Sequence, residues 1–223
     1  DELTYRDRFI FAHLLFTSLD EGRELIANWH IQYLCEIWRQ SWAGERPDVV
    51  LSAPPRSLKS FIFSVAMPAF ELGHNPEMQF LYTGHTAELT GQLSNLCRRG
   101  MSLDWYKRIF PRTRIRKDKS TEMYFETSRG GFRRAVSVGA SVTGLGADVL
   151  CADDLVTASD AHNRNVQSER ADYTTNTFLT RMNHPTRGRF FCIGQRLAVN
   201  DAMQQVAERL EVPILNLPAV AQV

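Results

Sequence analysis

Asp48-Val49-Val50-Leu51-Ser52-Ala53-Pro54-Pro55-Arg56-Ser57-Leu58-Lys59-Ser60-Phe61-Ile62-Phe63-Ser64-Val65-Ala66-Met67-Pro68-Ala69-Phe70 is the stretch that decides the fold. Its opening, DVVLSA, is a short apolar run of β character, PPRSLK is a loop, and SFIFSVAMPAF has helical spacing. A lysine followed by a hydroxyl residue, where a strand gives way to a helix, is the setting of a phosphate-binding loop. Backbone N–H groups and the helix N-terminus then cradle the phosphates. Lys59 neutralises the β/γ oxygens and the Ser60 hydroxyl holds Mg²⁺. The usual pattern GxxxxGK[ST] fails at both glycines, which are Ala53 and Leu58 here. A proline-containing loop with a surface lysine is the competing reading.

Further along, Val149-Leu150-Cys151-Ala152-Asp153-Asp154 is an apolar strand closed by two carboxylates. Ligands of open α/β sheets bind at the carboxyl ends of the strands. Two adjacent acids there repel each other unless a cation or hydrogen bonds offset the cost. In a Walker B arrangement the first acid serves Mg²⁺ and the second polarises the attacking water. The alternative is that one of them simply caps the following helix. Taken with Lys59-Ser60, the pair favours nucleotide chemistry.

The rest of the chain supplies a frame for these two motifs. Before Asp48 the spacing is helical, with Leu25, Trp29, Tyr33, Ile37 and Trp38 on apolar positions. After it, strands and helices alternate: MQFLYT, a helix from Ala87 to Arg99, ADVLCA, a polar helical stretch to about Met182, RFFCIG and VPILNL. YFET and FRRAV, joined through Arg129-Gly130-Gly131, read as a β-hairpin. The result is an α/β fold with a mainly parallel central sheet flanked by helices, preceded by an N-terminal helical segment. We divide it into residues 1–45, the helical segment, and 46–223, the core. At 223 residues, 43% hydrophobic and 23% charged, the composition is that of an ordinary globular domain. The four cysteines show no CxxC spacing, so buried reduced thiols are expected and not a metal site. No apolar run suits a membrane span, and the acidic start lacks the basic region of a signal peptide, which predicts a cytoplasmic protein. Net charge is +1, so any contact with nucleic acid must rest on local patches.

The motifs now assembled resemble the ATPase half of the large terminase subunits of tailed bacteriophages, the DNA-packaging motors. Trp29-His30 in NWHIQYL is similar to that family's leading helix, which contributes to its adenine pocket. SAPPRSLKS resembles its Pro-Pro-Arg form of Walker A, whose glycines vary. GASVTGLGADVLCADDL resembles its Gly-rich loop running into Walker B, FCIGQRLAVNDAM its coupling strand, and VPILNLPAV the Leu-Pro segment leading toward a nuclease domain. The resemblance implies a P-loop NTPase of the ASCE type, with ATP and Mg²⁺ as its cofactors. It places the nucleotide on Pro55, Arg56, Ser57, Leu58, Lys59 and Ser60, with Lys59 and Arg56 at the phosphates. Ser60 and Asp153 serve Mg²⁺, Asp154 activates water, and Gln195 is the γ-phosphate sensor or coupling residue, against a plain strand-end role. Gln32 and His30 are candidates for the adenine pocket, with helix packing the competing role for His30. The sequence departs from the pattern at Leu58, where many members have glycine, and at Asp154, where many motors use glutamate.

The same resemblance implies a motor that drives double-stranded DNA into a procapsid. Its partners would be the portal protein, the small terminase subunit and further copies of itself in a ring. The isolated domain is expected to be monomeric, to work in the cytoplasm of an infected bacterium docked transiently on the procapsid, and not to cut DNA, since no acidic nuclease cluster follows. A ring motor commonly borrows an arginine from its neighbour; Arg133, Arg134 and Arg112 are the candidates. Alternation along FRRAV puts Arg133 and Arg134 on opposite faces. The run Lys107 to Lys119, with seven basic residues in thirteen, reads as a DNA contact, a contact with an acidic neighbour, or a solvated face. The rival functions are a helicase-like ATPase outside packaging, which needs stacking aromatics, and an assembly module with a dead nucleotide site.

Overall fold

β1 (Asp48–Ser52) is buried at four of its five positions, as a strand covered on both faces must be. In the computed structural model, which describes residues 2–19, 25–26 and 28–218, it lies near one edge of an eight-stranded sheet. The other strands are β2 (Gln79–Gly84), β3 (Ile115–Ser120), β4 (Tyr124–Thr127), β5 (Phe132–Ser137), β6 (Val149–Asp153), β7 (Arg189–Gly194) and β8 (Ile214–Asn216). Their order is β3-β4-β5-β2-β6-β7-β1-β8. Every pairing from β5 to β8 is parallel, and only β3–β4 and β4–β5 are antiparallel. One strand, β7, separates the lysine-loop strand β1 from the acid strand β6.

Alternation along the central strands builds two cores. Val49, Leu51, Phe80, Tyr82, Cys151 and Phe191 face one side; Val50, Leu81, Leu150 and Phe190 face the other. The first side is covered by α2 (Arg8–Leu19), α3 (Trp29–Trp42), α5 (Met67–His74) and α6 (Ala87–Ser102). The second is covered by α8 (Arg164–Tyr173) and α9 (Ala202–Leu210). Starts are set by local chemistry: Asn28, Thr86, Asn163 and Asp201 each accept a backbone N–H at the head of α3, α6, α8 and α9. Trp38 of α3 stacks on Phe191 with ring centroids 4.4 Å apart, and its Nε1 donates to the buried Glu71 of α5. Arg8 of α2 pairs with the same carboxylate at 2.7 Å. One acid thus ties three helices together. All four cysteines are buried and unpaired, and no helix among the described residues is long and apolar enough to cross a membrane.

Three elements differ from the sequence reading. The basic run is not one patch: its start ends the short α7 (Asp104–Ile109), and Ile115–Ser120 is the edge strand β3. Charged side chains on an edge strand discourage pairing with another chain, which accounts for such a polar strand. The helix α9 (Ala202–Leu210), which follows the loop after RFFCIG, was not expected. The helix expected over SFIFSVAMPAF is also not uniform. It opens as α4 (Lys59–Phe61), widens into a π-turn at Ile62–Ala66 and resumes as α5. Pro68 is the physical reason available: it has no N–H for the carbonyl four residues back, so a regular ladder cannot run through it. Residues 219–220, the end of the Leu-Pro segment, lie outside the described residues.

Candidate active site

The loop after β1 holds its shape at some conformational cost. Arg56 and Leu58 adopt left-handed backbone, φ +62° and +63°, and so does Asp154 at +49°. Among the described residues only one other non-glycine, Glu211, has positive φ. Each such residue costs on the order of 1–2 kcal/mol. Strain of this kind concentrates where a binding geometry is being held. Leu58 occupies the backbone conformation for which the usual pattern supplies glycine, so the loop keeps the conformation without the residue. Leu58 also packs against the first core, which offsets part of the strain.

Ninety-odd residues of separation close at this loop. Lys59, 7% exposed, places its Nζ 3.5 Å from Oδ2 of Asp154. The Ser60 hydroxyl donates to Oδ1 of Asp153 at 2.9 Å. A second hydroxyl, from Ser64 in the π-turn, donates to Oδ2 of Asp153 at 2.6 Å. Asp153 is 1% exposed, and burial together with the neighbouring Asp154 charge raises its pKa from 3.8 to about 6; Ser64, Ser60 and Lys59 pull it back. Glycine at 84 is required beside this acid, because a Cβ there would lie 2.7 Å from the Asp153 carbonyl oxygen. The carbonyl of Asp154 is held by the backbone N–H of His85 at 3.1 Å and the His85 ring Nδ1 at 2.9 Å.

These residues suit a nucleotide with Mg²⁺. Hydroxyl and carboxylate oxygens are the hard donors Mg²⁺ takes. The buried Ser57 hydroxyl within the loop has no hydrogen-bond partner, as expected of a donor kept for a phosphate oxygen. Gln195 shares a crevice of about 20 Å³ with Asp154, Gln167 and Asp201, room for a single water. Pro55 and Arg56 are exposed on the loop.

Other candidates are placed elsewhere. Gln32 lines a separate groove with Arg6, Asp7, Arg8, Glu36 and Arg39, in which no phosphate-loop residue takes part. His30 is half-buried, with its ring 6.2 Å from that of Trp29. Arg133 is corrected as a candidate to serve a neighbouring subunit: it is fully buried, 4.1 Å over the Tyr82 ring, and donates to the Ser64 carbonyl. A side chain enclosed by its own core cannot reach another subunit. Arg134, on the opposite face, lies 4.5 Å over Tyr124, and Arg112 is exposed. Within the basic run, Lys107 pairs with Asp104, Arg116 with Asp118 and Glu126, and Lys119 with Glu126, while Arg114 caps the carbonyls of Phe110 and Thr113. Ser64, His85 and Gly84 were missed in the sequence, where serine, histidine and glycine outside a motif carry no signal.

The buried carboxyl of Asp153 makes the site pH-sensitive. Because the folded pKa of Asp153 lies above its unfolded value, the folded state loses stability as pH rises from about 4 through 6. Without divalent metal, Asp153→Asn should match the wild type near pH 4 and exceed it by on the order of 2 kcal/mol at pH 7. Urea midpoints of both proteins in EDTA across this range check it, and a difference that does not grow with pH contradicts it.

No protein-family model matches the chain, and no curated protein is detectably similar in sequence. Solved structures are similar. The large terminase of bacteriophage HK97 superimposes with a TM-score of 0.60 at 13% identity, covering 96% of this chain. The N-terminal domain of the DNA-packaging ATPase of bacteriophage phi29 aligns over 68% of this chain and 73% of its own, at 15% identity and a TM-score of 0.45. The chain spans only 45% of the HK97 protein. Over nearly all of its length, then, this chain has the fold of the part of the HK97 large terminase that it covers.

Proposed function

We propose that this chain is the ATPase motor domain of a viral large terminase, hydrolysing ATP to move double-stranded DNA into a procapsid. The observation that carries the reading is the meeting of Lys59 with Asp154 and of Ser60 with Asp153 at the carboxyl ends of β1 and β6. Fold likeness to the HK97 protein supports the packaging context.

The chain's own residues divide the work. Backbone N–H groups of residues 56–60 and the Ser57 hydroxyl bind the phosphate oxygens at the head of α4. Lys59, displaced from Asp154 by an incoming phosphate, carries its charge to the β/γ oxygens. Ser60 and Asp153 would hold Mg²⁺, which when bound would neutralise charge on those oxygens. Asp154, freed of Lys59 and fixed by His85, accepts a proton from the attacking water, with Gln195 beside it to orient that water. Arg56 lies on the open side of the loop, where it supplies positive charge in cis; Arg112 and Arg134 remain the candidates from a neighbour. Residues 1–45 act as a helical layer of the same motor, which assembles as a ring with portal, small subunit and DNA.

Mg·ATP should raise the melting temperature of the isolated domain by roughly 5–10 °C at 100 times Kd, from about 2.7 kcal/mol of linkage. The domain should also turn ATP over slowly, and DNA should accelerate it. Binding with no turnover would favour the assembly-module alternative. Neither binding nor turnover at millimolar Mg·ATP would end the nucleotide reading.

A further inference from the structure

The structure buries an arginine for which no ion pair among the described residues accounts. Arg133 on β5 is fully enclosed, its guanidinium 4.1 Å over Tyr82, yet its hydrogen bonds run to a single acceptor, the carbonyl of Ser64, from Nε at 3.3 Å and Nη2 at 3.0 Å. Removing a guanidinium from water is costly, so such a group persists where it is held by specific acceptors or serves a site. The acceptor here has a definite origin. In a regular helix the Ser64 carbonyl would receive the N–H of residue 68, but residue 68 is proline and has none. The helix widens into a π-turn at this point, Met67 N–H reaching back to Ile62, and the Ser64 carbonyl turns to Arg133. π-turns of this kind occur often at functional sites.

Ser64 therefore has two bonds of different purpose. Its carbonyl is fixed by Arg133 from the sheet, and its hydroxyl, 2.6 Å from Oδ2, holds the buried carboxylate of Asp153. The other oxygen of Asp153 is met by Ser60, the residue read as a Mg²⁺ ligand. When Ser60 turns to the metal, Ser64 remains the hydroxyl that fixes the rotation of the Asp153 carboxylate. Tyr82 completes the support: its ring carries the guanidinium and its hydroxyl donates to the Phe63 carbonyl at 2.9 Å, one residue before Ser64.

We propose that Ser64 and Arg133 are positioning residues for the metal-binding carboxylate, Arg133 fixing the carbonyl that Pro68 leaves free so that the Ser64 hydroxyl aims Asp153. This rests on Asp153 serving Mg²⁺, and the test separates the two claims. Outer partners of a metal ligand typically change metal affinity 10–100-fold when removed. Affinity for a non-hydrolysable ATP analogue is measured by calorimetry in EDTA and then across a Mg²⁺ titration, for wild type, Ser64→Ala, Arg133→Met and Asp153→Asn. Ser64→Ala should keep its metal-free nucleotide affinity within about twofold and need about 10-fold more Mg²⁺ for the same gain. Arg133→Met should move the Mg²⁺ requirement the same way if it folds, and Ser64→Ala, which removes one oxygen atom, decides the matter if it does not. A Mg²⁺ requirement unchanged in folded Ser64→Ala, while Asp153→Asn loses it, overturns the positioning role alone. A requirement unchanged in Asp153→Asn as well overturns both the role and the metal assignment.

Discussion

Lys59→Ala should lower ATP turnover by at least about 10³-fold while the domain stays folded. Lys59 is the only lysine in the loop and is nearly enclosed, so its charge acts in a medium that screens it weakly. In the nucleotide-free domain the ammonium faces Asp154 at 3.5 Å, which keeps it beside the phosphates' path. Alanine removes both partnerships at once: the phosphates lose their cation, and Asp154 loses its counter-ion next to the buried Asp153. Steady-state phosphate release, with circular dichroism to show an intact fold, measures the effect. A folded variant with turnover within threefold of the wild type would sink the phosphate-loop assignment.

Asp154→Asn is expected to keep Mg·ATP binding and to lose about 10²–10⁴-fold in turnover, the range for removing a general base. Asparagine is a clean replacement here for a reason of backbone geometry. Residue 154 sits at φ +49°, a region asparagine tolerates better than most residues. The two bonds from His85 to its carbonyl do not depend on the side chain. Asp153→Asn should behave differently, weakening the Mg²⁺ dependence of binding itself. Single-turnover kinetics beside equilibrium binding separates the cases, and equal loss of nucleotide affinity in both variants would refute the division of roles.

The largest discrepancy between motif and structure concerns a residue type. By pattern, Leu58 counts against a phosphate loop, because glycine is usual where the backbone turns left-handed. The structure keeps that conformation at Leu58, and packing against the core holds it there. Arg133 went the other way. As one of several arginines in a hairpin it had the profile of a surface charge, and only the burial of β5 beside β2 removes it from any interface.

By itself the sequence determined what depends on neighbours along the chain. The run DVVLS followed by PPRSLKS, the acid pair closing VLCA and the alternation of apolar strands with helices specify a parallel α/β sheet, because apolar runs and caps are local. The π-turn ahead of Pro68 lay outside that reading, which took SFIFSVAMPAF as one helix. The tertiary structure decided whatever depends on residues brought together from far apart. It inserted β7 between β1 and β6, joined Ser64 to Asp153 across 89 residues, and set His85 against Asp154 across 69. It also divided the basic run between α7 and β3, pairing Lys107, Arg116 and Lys119 with acids of the same chain. Whether a serine, a histidine or an arginine serves the site is a matter of burial and of which carbonyl or carboxylate lies within about 3 Å, and spacing along a chain does not encode that distance.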